Sequence, residues 1–147
     1  KLEASAHMND SNRNSEKMSE REAFEHAYYY FLQALELLAS DSESQCKKGG
    51  NYNVAWELKN DVSAGAYIFN LPERLSEKQK KEILELIAAL DSIPDEVLRS
   101  ATSAADNLRA MNLPCWIPFR KRAAKLIKLL EPATKKSEEF FKSQVKK

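Results

Sequence analysis

Apolar side chains recur three and four residues apart along almost the whole chain, and that period admits one kind of regular structure. At 3.6 residues per turn it gathers them on one face of a helix, whereas a half-buried strand needs alternation at every second residue. No stretch of any length alternates, so the expected fold class is all-α. Prolines at positions 72, 94, 114, 118 and 132 then divide the pattern, because proline removes a backbone donor and clashes with the preceding helical turn.

Between these breaks the sequence predicts five helices. The first opens at Ser19, which has the capping-box spacing to Glu22. It carries Phe24, Ala27, Tyr28, Phe31, Leu35 and Leu38 on one stripe and ends near Ser40. Residues 41 to 53, with Ser, Asp, Lys47-Lys48 and Gly49-Gly50, read as a long loop. A second helix from about Asn53 to Asn70 buries Val54, Leu58, Val62, Gly65, Ala66 and Phe69, and Pro72 stops it. Ser76 and Gln79 repeat the capping box ahead of Ile83, Leu86, Ile87 and Leu90. A fourth helix starts at Pro94 with Val97, Leu98, Ala101, Ala105, Leu108 and Met111 in register. Pro114 and Pro118 bracket an elbow at Cys115-Trp116-Ile117, so no helix should run unbroken through residues 112–118. The fifth helix carries Phe119, Ala123, Leu126, Ile127 and Leu130, and Pro132 either kinks it or begins a last helix with Phe140 and Phe141. Short connections make sequential helices neighbours, so the simplest packing is a single-domain antiparallel bundle of about five helices over residues 19–147.

The chain has 147 residues, enough to bury roughly two-thirds of its unfolded surface without a disulfide or metal staple. Cys46 and Cys115 are far apart and in no metal-ligand spacing, which fits reduced thiols and makes the cytoplasm the expected compartment. No apolar run approaches the roughly 20 residues that span a bilayer, so no membrane partner is expected. Residues 1–8 read as a cloning scar, since Lys-Leu, Leu-Glu, Ala-Ser and His-Met are what common restriction sites encode, which places the native start at Met8 or Met18. Residues 9–18 are polar throughout apart from Met18, and read as a flexible lead-in.

Catalytic chemistry is poorly provided for. Outside the first eight residues His26 is the sole histidine, which excludes histidine-rich metal centres and paired Glu-x-x-His motifs. Three glycines, falling as one pair and a singleton, make no phosphate loop. Glu20, Glu22 and Glu25, like Glu82 and Glu85, stand where amphipathic helices carry solvated charge. We therefore expect no enzyme, no cofactor, no metal and no small-molecule substrate. The exception is Arg21-Glu-Ala-Phe-Glu-His26, which resembles the Arg-x4-6-His signature of HEPN-type helical ribonucleases. That resemblance implies metal-independent RNA cleavage by His26 and Arg21. It covers six residues and opens the first helix, whereas that family carries the motif late in its domain.

A stronger signal is apolar and aromatic side chains off the core stripes. At about 100° per residue, a second helix that buries Leu58, Val62, Gly65 and Phe69 leaves Trp56, Asn60, Ser63 and Tyr67 on its other side. The first helix likewise leaves His26, Tyr29, Tyr30, Gln33 and Leu37. Two arrangements account for this: both helices lie centrally with two buried faces, the reading we favour, or they share an aromatic surface of the kind that anchors protein interfaces. In the second case the partner-binding residues are Tyr30, Gln33, Leu37, Trp56, Glu57, Asn60, Asp61 and Tyr67.

Charge is polarised although the total is only +1. Residues 19–98 hold 15 acidic and 8 basic side chains, and residues 113–147 hold 3 acidic and 10 basic. The acidic portion, with Glu36, Asp41, Glu43, Glu57 and Asp61 beside the aromatic set, suits a basic protein partner. The basic end includes Arg120, Lys121, Arg122, Lys125 and Lys128. Such a stripe can follow phosphates, but no aromatic ladder for stacking bases accompanies it, so nucleic acid is the lesser expectation.

The segments Trp56-Glu-Leu-Lys-Asn-Asp-Val62 and Asn107-Leu-Arg-Ala-Met-Asn-Leu-Pro-Cys-Trp-Ile-Pro-Phe-Arg120, joined to Leu129-Leu-Glu-Pro132, resemble those of small all-helical bacterial proteins. Some of these are similar to the immunity proteins of toxin and immunity pairs, including contact-dependent inhibition systems. The likeness extends over most of residues 19–141 and rests on structural rather than catalytic motifs. It implies a cytoplasmic, non-catalytic protein that neutralises a toxin domain, often a nuclease with a basic surface, by covering it.

Overall fold

Capping and proline chemistry set most of the element boundaries. The computed structural model describes the backbone of residues 2–49, 53–68, 72–99 and 102–145, and side chains from Glu20 onward. Among the described residues there are eight α-helices and no strand: α1 (Leu2–Ala39), α2 (Ser42–Gly49), α3 (Val54–Ser63), α4 (Glu77–Leu90), α5 (Asp95–Arg99), α6 (Ala104–Met111), α7 (Ile117–Leu129) and α8 (Glu131–Val145). Three 3-10 turns, Ala64–Tyr67, Pro72–Arg74 and Pro114–Trp116, link them. The all-helical class is as expected, while the count of five helices is corrected.

Each added helix has a local cause. Asp41, inside the expected loop, accepts a bond from the Ser44 amide at 2.8 Å and so caps α2. Glu43 in the first turn and Lys47 and Lys48 in the last suit the helix dipole. The expected fourth helix is two pieces, because Ser103 caps α6 by accepting from the Asp106 amide. Pro132 begins α8 rather than kinking α7. At the other end α1 starts at Leu2 and takes in residues 9–18, so Ser19 lies within a helix that neither Pro nor Gly interrupts. Phe69, Asn70 and Ala101, assigned to stripes or ends above, lie outside the described residues.

Other boundaries fall where the sequence places them. Ser76 and Gln79 form both bonds of the capping box at α4. The chain breaks at Asn112–Leu113 and makes the Pro114–Trp116 turn before α7, with Pro118 in the first helical turn, where no donor is missed. Trp116 is fully buried, and its Nε1 donates to the Ala110 carbonyl at 3.0 Å, pinning the elbow to α6.

One contiguous core takes side chains from α1, α3, α4 and α7. Tyr28, Phe31, Leu35 and Leu38 of α1 meet Val54, Leu58 and Val62 of α3 and Phe119, Ala123 and Leu126 of α7. Full burial of such side chains stabilises by about 1.5–3 kcal/mol each. Helix α1 is the hub, touching α7 most extensively and also α2, α3 and α8. Ala27 and Ala105, placed on core stripes by spacing, are exposed.

Polar groups inside the bundle set how the helices meet. The Gln45 side chain donates to the Leu37 and Leu38 carbonyls at 3.1 and 3.0 Å, satisfying the end of α1, and accepts from Arg120 Nη2 at 3.1 Å. Arg120 also donates to the Met111 carbonyl, so it is turned inward and is no part of the basic surface expected of it. Glu25 is a further correction. It has no exposure, and its carboxylate accepts from Arg74 Nε at 2.8 Å, Arg74 Nη2 at 3.1 Å and Ser137 Oγ at 2.6 Å. Arg74 Nη2 further donates to the Ala133 carbonyl, and its guanidinium lies over Phe24 at 5.0 Å.

Burial alone would raise the Glu25 carboxyl, but the bonds from Arg74 and Ser137 and the charges of Arg74 and Arg21 together hold it below its ordinary value. A depressed folded value means that the stabilisation is complete above about pH 4.3, the unfolded value, and is lost as pH falls through the folded one. Arg74→Met should therefore cost about 3–5 kcal/mol by stranding a buried carboxylate. In thermal melts from pH 7 to pH 3, the parent chain should lose stability toward the acid end, and Glu25→Gln should flatten that loss.

Candidate partner-binding surface

Helix α3 is buried along one stripe only. Val54, Ala55, Leu58 and Val62 face the core, and Gly65 continues the stripe so closely that a Cβ on it would lie 2.5 Å from the Phe31 ring. That approach seats the 3-10 turn on α1 and leaves the opposite side of α3 to solvent. Trp56 is 50% exposed and Tyr67 80%, so the favoured two-faced core is corrected. On α1, Tyr30 is 66% exposed.

Between α1 and α3 runs a groove of about 420 Å³ lined by Tyr30, Phe31, Gln33, Leu37, Asp61 and Ala64, among others. It gathers four of the eight expected contact residues: Tyr30, Gln33 and Leu37 from one wall, Asp61 from the other. Trp56, Glu57, Asn60 and Tyr67 do not line it. Trp56, Asn60 and Tyr67 are exposed and Glu57 half-buried; Trp56 and Asn60 share one face of α3, and Tyr67 closes the 3-10 turn that follows it. Partial desolvation raises the Asp61 carboxyl above its ordinary value, and no cation stands within 4.0 Å of it among the described residues. Gln33 Nε2 donates to the Tyr29 hydroxyl at 2.8 Å and fixes the ridge of α1 beside the groove.

The residues of the ribonuclease-like motif are engaged elsewhere. Arg21 pairs with Glu25 at 3.7 Å and lies over the Phe140 ring at 5.5 Å. His26 packs edge-on to Phe141 at 5.4 Å. Each is thus held by a different aromatic of α8. Lys121, Lys125 and Lys128 are exposed on α7 as their spacing predicts. With Lys78 and Arg122 the first two border a groove of about 690 Å³ that also contains Glu82 and no aromatic ring. Burial raises both thiols, Cys46 and Cys115, against the nearby Arg120 charge, and both are free.

Sequence reasoning missed a larger groove of about 700 Å³ on the other flank of α1, lined by Tyr29, Leu32, Phe141 and Val145 over Tyr28. The available signal was the i, i+4 row Ala133, Ser137, Phe141 and Val145 on α8. Small residues begin that row and let α8 close on α1; its apolar end stands free.

Among the described residues no cluster of His, Cys, Asp and Glu is arranged to hold a metal, and no helix is long and apolar enough to cross a membrane. Compared with known protein families, with curated proteins and with solved structures, the chain matches none.

Gly65→Ala should push the Phe31 ring off its seat and destabilise the fold by about 1–3 kcal/mol, the range for overpacking. A thermal melt unchanged from the parent would show that the turn does not rest on α1 as described.

Proposed function

We propose that this chain is an immunity protein: a non-catalytic, cytoplasmic binding protein that neutralises a basic protein toxin domain through the face formed by α1 and α3. The observation that carries the reading is the exposure of Tyr30, Trp56 and Tyr67, of which Tyr30 lines the groove between α1 and α3, together with Asp61, the one acid lining that groove, which has no ion-pair partner among the described residues. Large amphipathic aromatics that solvent does not hold down are the usual anchors of protein interfaces. A partly desolvated acid gains most from a partner that brings a positive charge. Glu57 and Asp61 supply the field that steers a basic surface toward the anchors. The resemblance of residues 19–141 to immunity proteins supplies the class of partner.

Co-expression with the toxic product of the neighbouring reading frame should restore growth. Trp56→Ala should weaken that complex by about 2 kcal/mol or more, while Tyr67→Ala should leave folding stability within about 0.5 kcal/mol. Glu57→Lys with Asp61→Lys should slow association and reduce its salt dependence. If these changes leave binding intact while Lys121→Glu with Lys125→Glu abolishes it, the partner sits on α7 and the proposed face is wrong.

A further inference from the structure

The groove between α1 and α8 goes beyond this reading and does not depend on it. We infer that it is a docking site for the apolar face of a basic amphipathic helix.

Its shape comes from the divergence of two helices. Along α8 the row facing α1 goes from Ala133 at 2% and Ser137 at 5% exposure to a half-buried Phe141 and then Val145 at 85%. The helices are therefore closely packed at one end and open at the other, leaving about 700 Å³ floored by Tyr28 and Leu32 and walled by Tyr29, Phe141 and Val145. A groove of this kind between two helices accepts a third laid along it, whose side chains at i, i+3, i+4 and i+7 enter in a row.

The floor offers area but no directional bond. Thr134 Oγ1 is hydrogen-bonded to the Tyr28 hydroxyl at 2.8 Å, and Ser137 Oγ is held between Glu25 and Arg74 at 2.6 and 2.8 Å. A small polar ligand would find its anchors already engaged, whereas a row of aliphatic side chains needs none.

Charge at the rim selects the partner. Glu36 stands on the α1 wall and Glu138 on the α8 wall, with Lys142 one turn beyond. Neither acid has an ion-pair partner among the described residues. Among the described residues the rim holds two acids against one base, which favours a helix whose apolar stripe is flanked by Lys or Arg over an anionic membrane surface.

The test uses the full chain and a fluorescein-labelled peptide of Leu and Lys at amphipathic helical spacing, followed by fluorescence anisotropy at two salt concentrations. Saturable binding is expected, weakened at least about tenfold in Glu36→Lys/Glu138→Lys and less salt-sensitive there. Trp56→Ala, on the other flank of α1, should leave it unchanged. A Leu and Glu peptide of the same spacing should bind far more weakly. Equal binding by the charge-reversed variant, equal binding of the acidic peptide, or loss of binding in Trp56→Ala would each overturn the assignment.

Discussion

Glu25, without exposure to solvent, is gripped by an arginine 49 residues along the chain and a serine 112 residues along it. The contact joins α1 to the Pro72–Arg74 turn and to α8, three parts that no local rule brings together. Taking a carboxylate and a guanidinium out of water costs several kcal/mol per ion, recovered only when geometry and further bonds are good. Here the geometry is bidentate, Ser137 and the Ala133 carbonyl take further bonding positions, and Phe24 lies under the guanidinium. A slightly shifted α8 would strand the charge, so the arrangement has little tolerance for alternatives. The aromatic contacts of α8 to α1, Phe140 with Arg21 and Phe141 with His26 and Tyr29, and the groove that opens beyond them, follow from that placement.

A second polar junction does similar work at the other end of α1. Gln45 closes the terminal carbonyls of α1 while holding Arg120 of α7, and Arg120 reaches on to the end of α6. Asn107 accepts from the first amide of α3. Short helices such as α2, α5 and α6 are marginal alone, and these bonds tie two of them into the bundle. Tyr28 adds a bond to the Leu130 carbonyl, where α7 passes into α8.

With α1 fixed on several sides, its remaining ridge is the part of the hub that meets solvent. Tyr29 and Tyr30 stand there ring edge to ring at 5.6 Å, between the groove toward α3 and the groove toward α8. Both grooves combine apolar walls with acids that have no ion-pair partner among the described residues, while Lys121 and Lys125 of α7 border a third groove. Such a surface presents exposed aromatic area and negative charge, the two features that give a protein interface affinity and steering.

Local chemistry explains what could be read in advance. Helical period, proline breaks, the Ser76 cap and the elbow before α7 depend on residues within a turn of one another, so they were legible. The α2 cap at Asp41 was equally local and was overlooked because the Gly49-Gly50 pair suggested a loop. Long-range facts were not legible: Glu25 and Glu22 are alike as helix carboxylates, and Arg120 sits in the same basic run as Lys121. The candidate contact residues could be picked out because they fall off the core stripes, yet their exposure could not, since a residue off one stripe is covered or bare according to which helix lies opposite. The sequence by itself determined an all-helical chain and most places where its helices stop. Only the tertiary structure decided which charges are buried, which aromatics are bare and where two grooves open, because each depends on partners tens of residues away.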